Sequence, residues 1–246
     1  MVAELAALSE GGLSAMAGPR FFGWVIGGSD PVPLAADWLA AAWGQNAGSN
    51  HATPAAAAAE KVTARWLLDL LDLPRECSVG FVTGATMAHF VGLAAARGEV
   101  LRRVGWDCEA DGLFGAPPIT VVLGDEAHTT VFCALRYLGL GERRLVRVPT
   151  DDHGRMRADA LTAALAAVSG PCIVVAQAGH LHTGAFDPLA DVAAAAHAAG
   201  AWLHIDGAFG LWARAGPPAV AALARGAELA DSWATDGHKW LQVINN

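Results

Sequence analysis

A chain of 246 residues, 54% hydrophobic and 16% charged, can build a sizeable core and is not composed like a disordered segment. Its formal net charge of -8 gives no electrostatic reason to expect nucleic-acid or anionic-membrane binding. The start lacks a basic segment followed by an apolar run, no apolar stretch reaches the ~20 residues of a membrane span, and Cys77, Cys108, Cys133 and Cys172 form no CxxC pair. A cytoplasmic protein with reduced cysteines is the expectation.

Residues 1–53 are rich in Gly and Trp and are broken by Pro31-Val32-Pro33. They are expected to form an arm and a helix, packed on the main domain or on a second subunit. From residue 54 to 246 the pattern changes. Apolar runs alternate with alanine-rich helical stretches, which predicts an α/β domain with a mainly parallel sheet flanked by helices.

A helix is expected from Pro54 to about Leu71, then a strand at Val79–Val82 and a helix from Ala85 to about Arg103. Further strands are expected at Ile119–Leu123, Leu145–Val148, Cys172–Val175, Trp202–Ile205 and Ser232–Ala234. These runs are apolar throughout rather than alternating, as in strands buried on both faces. A helix capped by Asp187, with Pro188 in its first turn, is expected to end at Gly200.

Four segments carry residue types suited to chemistry, and each also has a plain structural explanation. Thr83-Gly84-Ala85-Thr86 opens a helix after an apolar run. Free amides there, with the Thr86 hydroxyl, suit a phosphate, although such a turn is usually only a turn. His128, in Asp125-Glu126-Ala127-His128, falls at the carboxyl end of a strand, where open α/β sheets bind ligands. Its plain alternative is a helix capped by Asp125 with His128 partly exposed.

Asp206 ends the apolar run His204-Ile205-Asp206, a costly place for an acid without a partner. Gly207 and Ala208 beside it leave room for a flat ring, and the carboxylate could keep a pyridine nitrogen protonated. The alternative is a cap on the following turn. Lys239 stands between His238 and Trp240, surroundings that could lower its pKa and free the amine to attack a carbonyl, though a lone lysine is normally a solvated charge. His180 and His182, two residues apart, lack an acidic or cysteine partner in sequence, so no metal is expected there.

Taken together, Gly-Ala-Thr, Asp-Glu-Ala-His, Thr-Gly-Ala-Phe-Asp-Pro, Asp-Gly-Ala and His-Lys-Trp resemble the group II pyridoxal 5'-phosphate (PLP) decarboxylases, over about Pro19 to Lys239. The resemblance implies the large domain of the aspartate-aminotransferase-like fold. It makes Lys239 the Schiff-base lysine, Asp206 the partner of the pyridine nitrogen, and Ala208 the small residue against the ring. His128 becomes the residue stacked on the other ring face, able to assist catalysis. Ala85 and Thr86 become the phosphate turn, His238 a further cofactor contact, and Thr183 a polar residue near the ring edge and Asp206.

An amino-acid substrate, loss of carbon dioxide and a homodimer follow from the same resemblance. Another PLP reaction on this fold, transamination or carbon–carbon cleavage, stays open, as does a non-catalytic fragment of low solubility. The chain ends seven residues past Lys239 where the family continues, so a truncated member without the C-terminal domain is expected. His89, His180 and His182 stand where related sequences often have Asn.

Overall fold

Backbone hydrogen bonding turns five of the six expected apolar runs into one parallel sheet. The computed structural model describes residues 1–243, so the last three positions of the expected 54–246 domain lie outside the described residues. The described residues form two compact units, Met1–Gly44 together with Gly237–Val243, and Gln45–Asp236.

In the smaller unit, α1 spans Val2–Ser9 and α2 spans Pro31–Trp43. Asp30 caps α2 by accepting from the Val32 N–H at 2.9 Å, proline fills the first turn, and Gly44 ends the helix in the left-handed region.

The larger unit begins with α3 (Pro54–Leu70) and α4 (Ala85–Arg102), followed by the short α5 (Cys108–Asp111). Strand β1 (Thr120–Gly124) leads into α6 (Thr129–Tyr137), and β2 (Leu145–Val148) into α7 (Ala158–Ala166). Then come β3 (Cys172–Gln177), α8 (Leu189–Ala198), β4 (Trp202–Asp206), the single-turn α9 (Pro218–Ala221) and β5 (Ser232–Ala234). The sheet order is β2-β1-β3-β4-β5, with every pair parallel.

Alternate residues of the strands face opposite layers. Val121, Leu123, Ile173 and Val175 pack with Leu93 and Ala96 of α4 and with Val131 and Leu135 of α6. Val122, Val174, Leu203 and Ile205 pack on the other side with Leu161 of α7, Leu189 and Val192 of α8, and Leu68 of α3. The sheet is thus covered on both faces, as its uniformly apolar strands require.

Three local expectations change. Val79–Val82 forms no strand: it joins no ladder, and Cys77 and Val79 instead pack their side chains against the core. Apolar β-branched content there serves burial, while strand formation also needs a neighbouring backbone to pair with. Asp187 does not cap α8. Its carboxylate accepts from the Met156 and Gln177 amides, both at 2.7 Å, and the helix begins after Pro188 without a side-chain cap. The cap on α6 is His128 rather than Asp125.

The smaller unit resumes with α10 (Gly237–Trp240), which carries His238 and Lys239. Its backbone lies against Gly27, where φ is +68° and any Cβ would collide with the carbonyls of His238 and Lys239.

Candidate active site

Parallel strands place their carboxyl ends on one edge of the sheet, and the polar residues of the larger unit collect there. Asp206 is the last residue of β4 and is only 5% exposed. Its Oδ1 accepts from the Ala208 N–H at 3.1 Å and lies 3.5 Å from His89 Nε2. The turn-capping reading of Asp206 therefore holds, and the acid is buried with His89 as its titratable neighbour. No described hydrogen bond uses Oδ2.

A hollow at the ends of β1, β3 and β4 is lined by Gly124, Glu126, Ala127, Gln177, Asp187 and Asp206. Burial pushes the Asp187 carboxyl up to about 6, against the two amides that it accepts from; the charges of Asp151 and Asp206 push in the same direction as burial.

His128 follows this lining and is half-buried. Its Nδ1 lies 2.8 Å from the Thr130 hydroxyl and accepts from the Thr130 N–H at 3.4 Å, so the ring proton belongs on Nε2. Ala85 and Thr86 form the first turn of α4, after Gly84 with φ of +99°; Ala85 is buried and Thr86 half-buried. One turn further along the same helix, His89 reaches Asp206.

Thr183 lies on an exposed turn. Its hydroxyl donates to the His153 carbonyl at 2.7 Å and lies 3.1 Å from His180 Nδ1. That nitrogen also accepts from the amides of His182 and Thr183, while His180 Nε2 lies 3.6 Å from Glu126. The pair His180 and His182 thus organises a turn. Among the described residues no group of three or more His, Cys, Asp or Glu is arranged to hold a metal.

His238 and Lys239 are half-buried on α10 of the smaller unit and are described there only. The larger unit brings together Asp206, Ala208 and, through α4, the turn at Ala85 and Thr86. The link of His89, His204 and Ser232 behind Asp206, and the two amides held by Asp187, are what the sequence reading did not reach. The available signal was a helical stripe, Ala85, His89, Leu93, Ala96 and Val100, in which one histidine sits on the buried face.

An open parallel α/β sheet with a buried carboxylate, small neighbours and a helix opening at its carboxyl edge defines a binding domain for a small ligand. The chain belongs to the pyridoxal-dependent decarboxylases: the model of the pyridoxal-dependent decarboxylase conserved domain matches residues 5–246.

An aromatic-L-amino-acid decarboxylase of Bacillus atrophaeus is 31% identical over 239 residues, covering 91% of this chain and 45% of the relative. Tryptophan decarboxylase 1 of Oryza sativa subsp. japonica is 31% identical over 253 residues, covering 94% and 48%. The crystal structure of Oryza sativa TDC with PLP and tryptamine matches with a TM-score of 0.87 at 26% identity, covering all of this chain and 54% of that one. The chain spans about half the length of the curated relatives it matches.

The residues present fit the family's cofactor. A buried carboxylate with an uncommitted oxygen suits a protonated ring nitrogen, Ala208 adds no more than a methyl beside it, and the amides opening α4 suit a phosphate, while the expected room at Gly207 is taken by Leu211.

Proposed function

We propose that this chain is the cofactor-binding part of a PLP-dependent amino-acid decarboxylase. The observation that carries the reading is Asp206, a nearly buried acid at the carboxyl end of β4, held on Oδ1 by the Ala208 amide and faced by His89. When bound, PLP supplies an aldehyde that captures amines and a cationic ring that takes up the electron pair left as carbon dioxide departs.

Each residue then has a task of its own. Asp206 holds the proton on the ring nitrogen. Ala208 keeps one ring face unobstructed, and His128 covers the other and excludes water. Ala85 and Thr86 hold the phosphate with backbone amides and a hydroxyl, a task suited to the positive end of α4. Lys239 supplies the amine that anchors the cofactor, with His238 beside it as a further contact, and Thr183 is a polar group for the ring edge. By this reading the cofactor contacts all fall within residues 54–246, with residues 1–53 as the arm, although the compact units divide the chain after Gly44 and before Gly237.

The substrate is an L-amino acid, the protein a cytoplasmic homodimer. The named activities of the matched relatives support the first. Exposed Leu8, Phe22 and Trp24 in the smaller unit support association.

Adding PLP to the purified chain is expected to raise a visible absorbance band that Lys239→Ala lacks, and carbon dioxide is expected from an L-amino acid. A keto acid product would point to transamination instead. No band at any PLP concentration would remove the cofactor role from this chain.

A further inference from the structure

Behind Asp206 a line of polar side chains runs from half-buried Trp202 and Ser232, the latter on the edge strand β5, to fully buried His204 and His89. Trp202, His204 and Asp206 alternate along β4 on the face covered by α4, and Ser232 stands opposite His204 on β5. Trp202 Nε1–H donates to Ser232 Oγ at 2.9 Å, and Ser232 Oγ lies 2.8 Å from His204 Nδ1. His204 Nε2 lies 3.0 Å from His89 Nδ1, and His89 Nε2 stands 3.5 Å from Asp206 Oδ1, an electrostatic contact outside hydrogen-bond geometry.

Both histidines are completely buried. Gly92, three residues after His89, makes the space: a Cβ there would stand 2.8 Å from His204 Cε1 and 3.0 Å from Nδ1.

The two ends set the direction of the line. An indole N–H can only donate, and a carboxylate can only accept. A carboxylate oxygen can only accept, so a neutral His89 turns an Nε2 proton towards Oδ1 and accepts at Nδ1. His204 then donates from Nε2 and accepts at Nδ1 from the Ser232 hydroxyl, whose lone pair receives Trp202. Every proton along the line points towards Asp206. Burial, with His89 nearby, holds the His204 pKa well below the ordinary histidine value, in keeping with a neutral ring.

We propose that this line is a one-way relay in which His89 is a positioning residue for Asp206. The Nε2 proton faces Oδ1 from behind at 3.5 Å, an electrostatic contact, and no described hydrogen bond uses Oδ2, so Oδ2 is the oxygen presented to a ring nitrogen. The role rests on the reading of the edge as a PLP site. The relay itself does not, because its proton positions exist in the cofactor-free chain.

Two measurements separate the two claims. In the cofactor-free full chain, labelled with nitrogen-15 at histidine and assigned with His89→Gln and His204→Gln, both rings are expected to be protonated on Nε2 and bare on Nδ1. A proton on Nδ1 of either would overturn the relay.

In the second measurement PLP is added and its uptake followed by visible absorbance. His89→Leu is expected to weaken PLP binding about tenfold or more, the loss expected of one donor to a charged group. His89→Gln, which keeps an amide donor for Asp206, is expected to stay within about threefold of the unaltered chain. Equal affinities for the Leu variant and the unaltered chain would overturn the positioning role. Should His89→Leu fail to fold, Ser232→Ala carries the test at the far end: His204 is expected to stay protonated on Nε2, because His89 Nδ1 still accepts that proton, and a proton on Nδ1 of His204 would overturn the relay. Failure of the unaltered chain to take up PLP would instead overturn the functional reading, with the tautomers still decided.

Discussion

Asp187 and His204 are buried titratable residues whose protonation pulls stability in opposite directions. The Asp187 carboxyl is raised to about 6, chiefly by burial. The folded chain therefore holds that proton at a pH where the unfolded chain has released it. Its contribution is present below the unfolded value near 4 and is lost as pH rises towards 6. His204 is lowered by burial, so its contribution is complete above the unfolded value near 6.5 and is lost as pH falls below it.

Between about pH 6 and pH 4, protonation of Asp187 thus offsets part of the acid loss caused by His204. Asp187→Asn removes the offset, and its melting temperature should fall more steeply over that interval than that of the unaltered chain. At pH 7 the same change leaves one of the Met156 and Gln177 amides facing an amide donor, at a cost of about 1–3 kcal/mol. Melting curves at several pH values check both effects, and parallel pH profiles would show that Asp187 does not titrate as described.

At the scale of elements, α4 joins the core to the candidate site, and its glycines show how. Gly92 is crowded by His204 and Ser232, whereas a Cβ at Gly98 would meet nothing within 4 Å. Alanine improves helix propensity by about 1 kcal/mol at either position, but overpacking at Gly92 costs about 1–3 kcal/mol and disturbs the His204–Ser232 hydrogen bond as well. Gly98→Ala should therefore stabilise the chain by roughly 0.5–1 kcal/mol, and Gly92→Ala should destabilise it by roughly 1–2 kcal/mol. Urea unfolding of the two variants measures the contrast, and a stabilised Gly92→Ala would mean that the close approach to His204 is absent.

The same helix marks what the sequence discloses and what it conceals. Its limits were readable from Ala85 to about Arg103, as were five strands, because period and β-branched content are local properties. The pairing of Val79–Val82 was not readable, since a ladder needs a partner that composition does not name. Asp206 and Ala208 could be read together from one short segment. The link from His89 to His204 spans 115 residues and depends on which faces of a helix and a strand meet. Asp187 looked like a helix cap because Asp before Pro is a good local signal, yet two amides from other segments claimed its oxygens.

For the whole molecule, the balance of exposed apolar groups bears on association. Sheet edges are one route, but β2 has four residues and β5 three, which leaves little backbone to pair with another chain. The other route is side-chain burial, and here the smaller unit stands out: Phe22 is 88% and Trp24 84% exposed, with Leu5, Leu8, Trp38 and Trp43 exposed as well. Fully burying one such side chain contributes about 1.5–3 kcal/mol, so a few of them outweigh what a three-residue edge can offer. Self-association should therefore depend on these residues more than on β5. Light scattering over a range of protein concentrations is expected to show a mass that rises with concentration, and Phe22→Glu with Trp24→Glu should shift it towards the monomer. If that double change leaves the mass unaltered while charged substitutions along β5 lower it, the sheet edge, and not the exposed apolar groups, drives assembly.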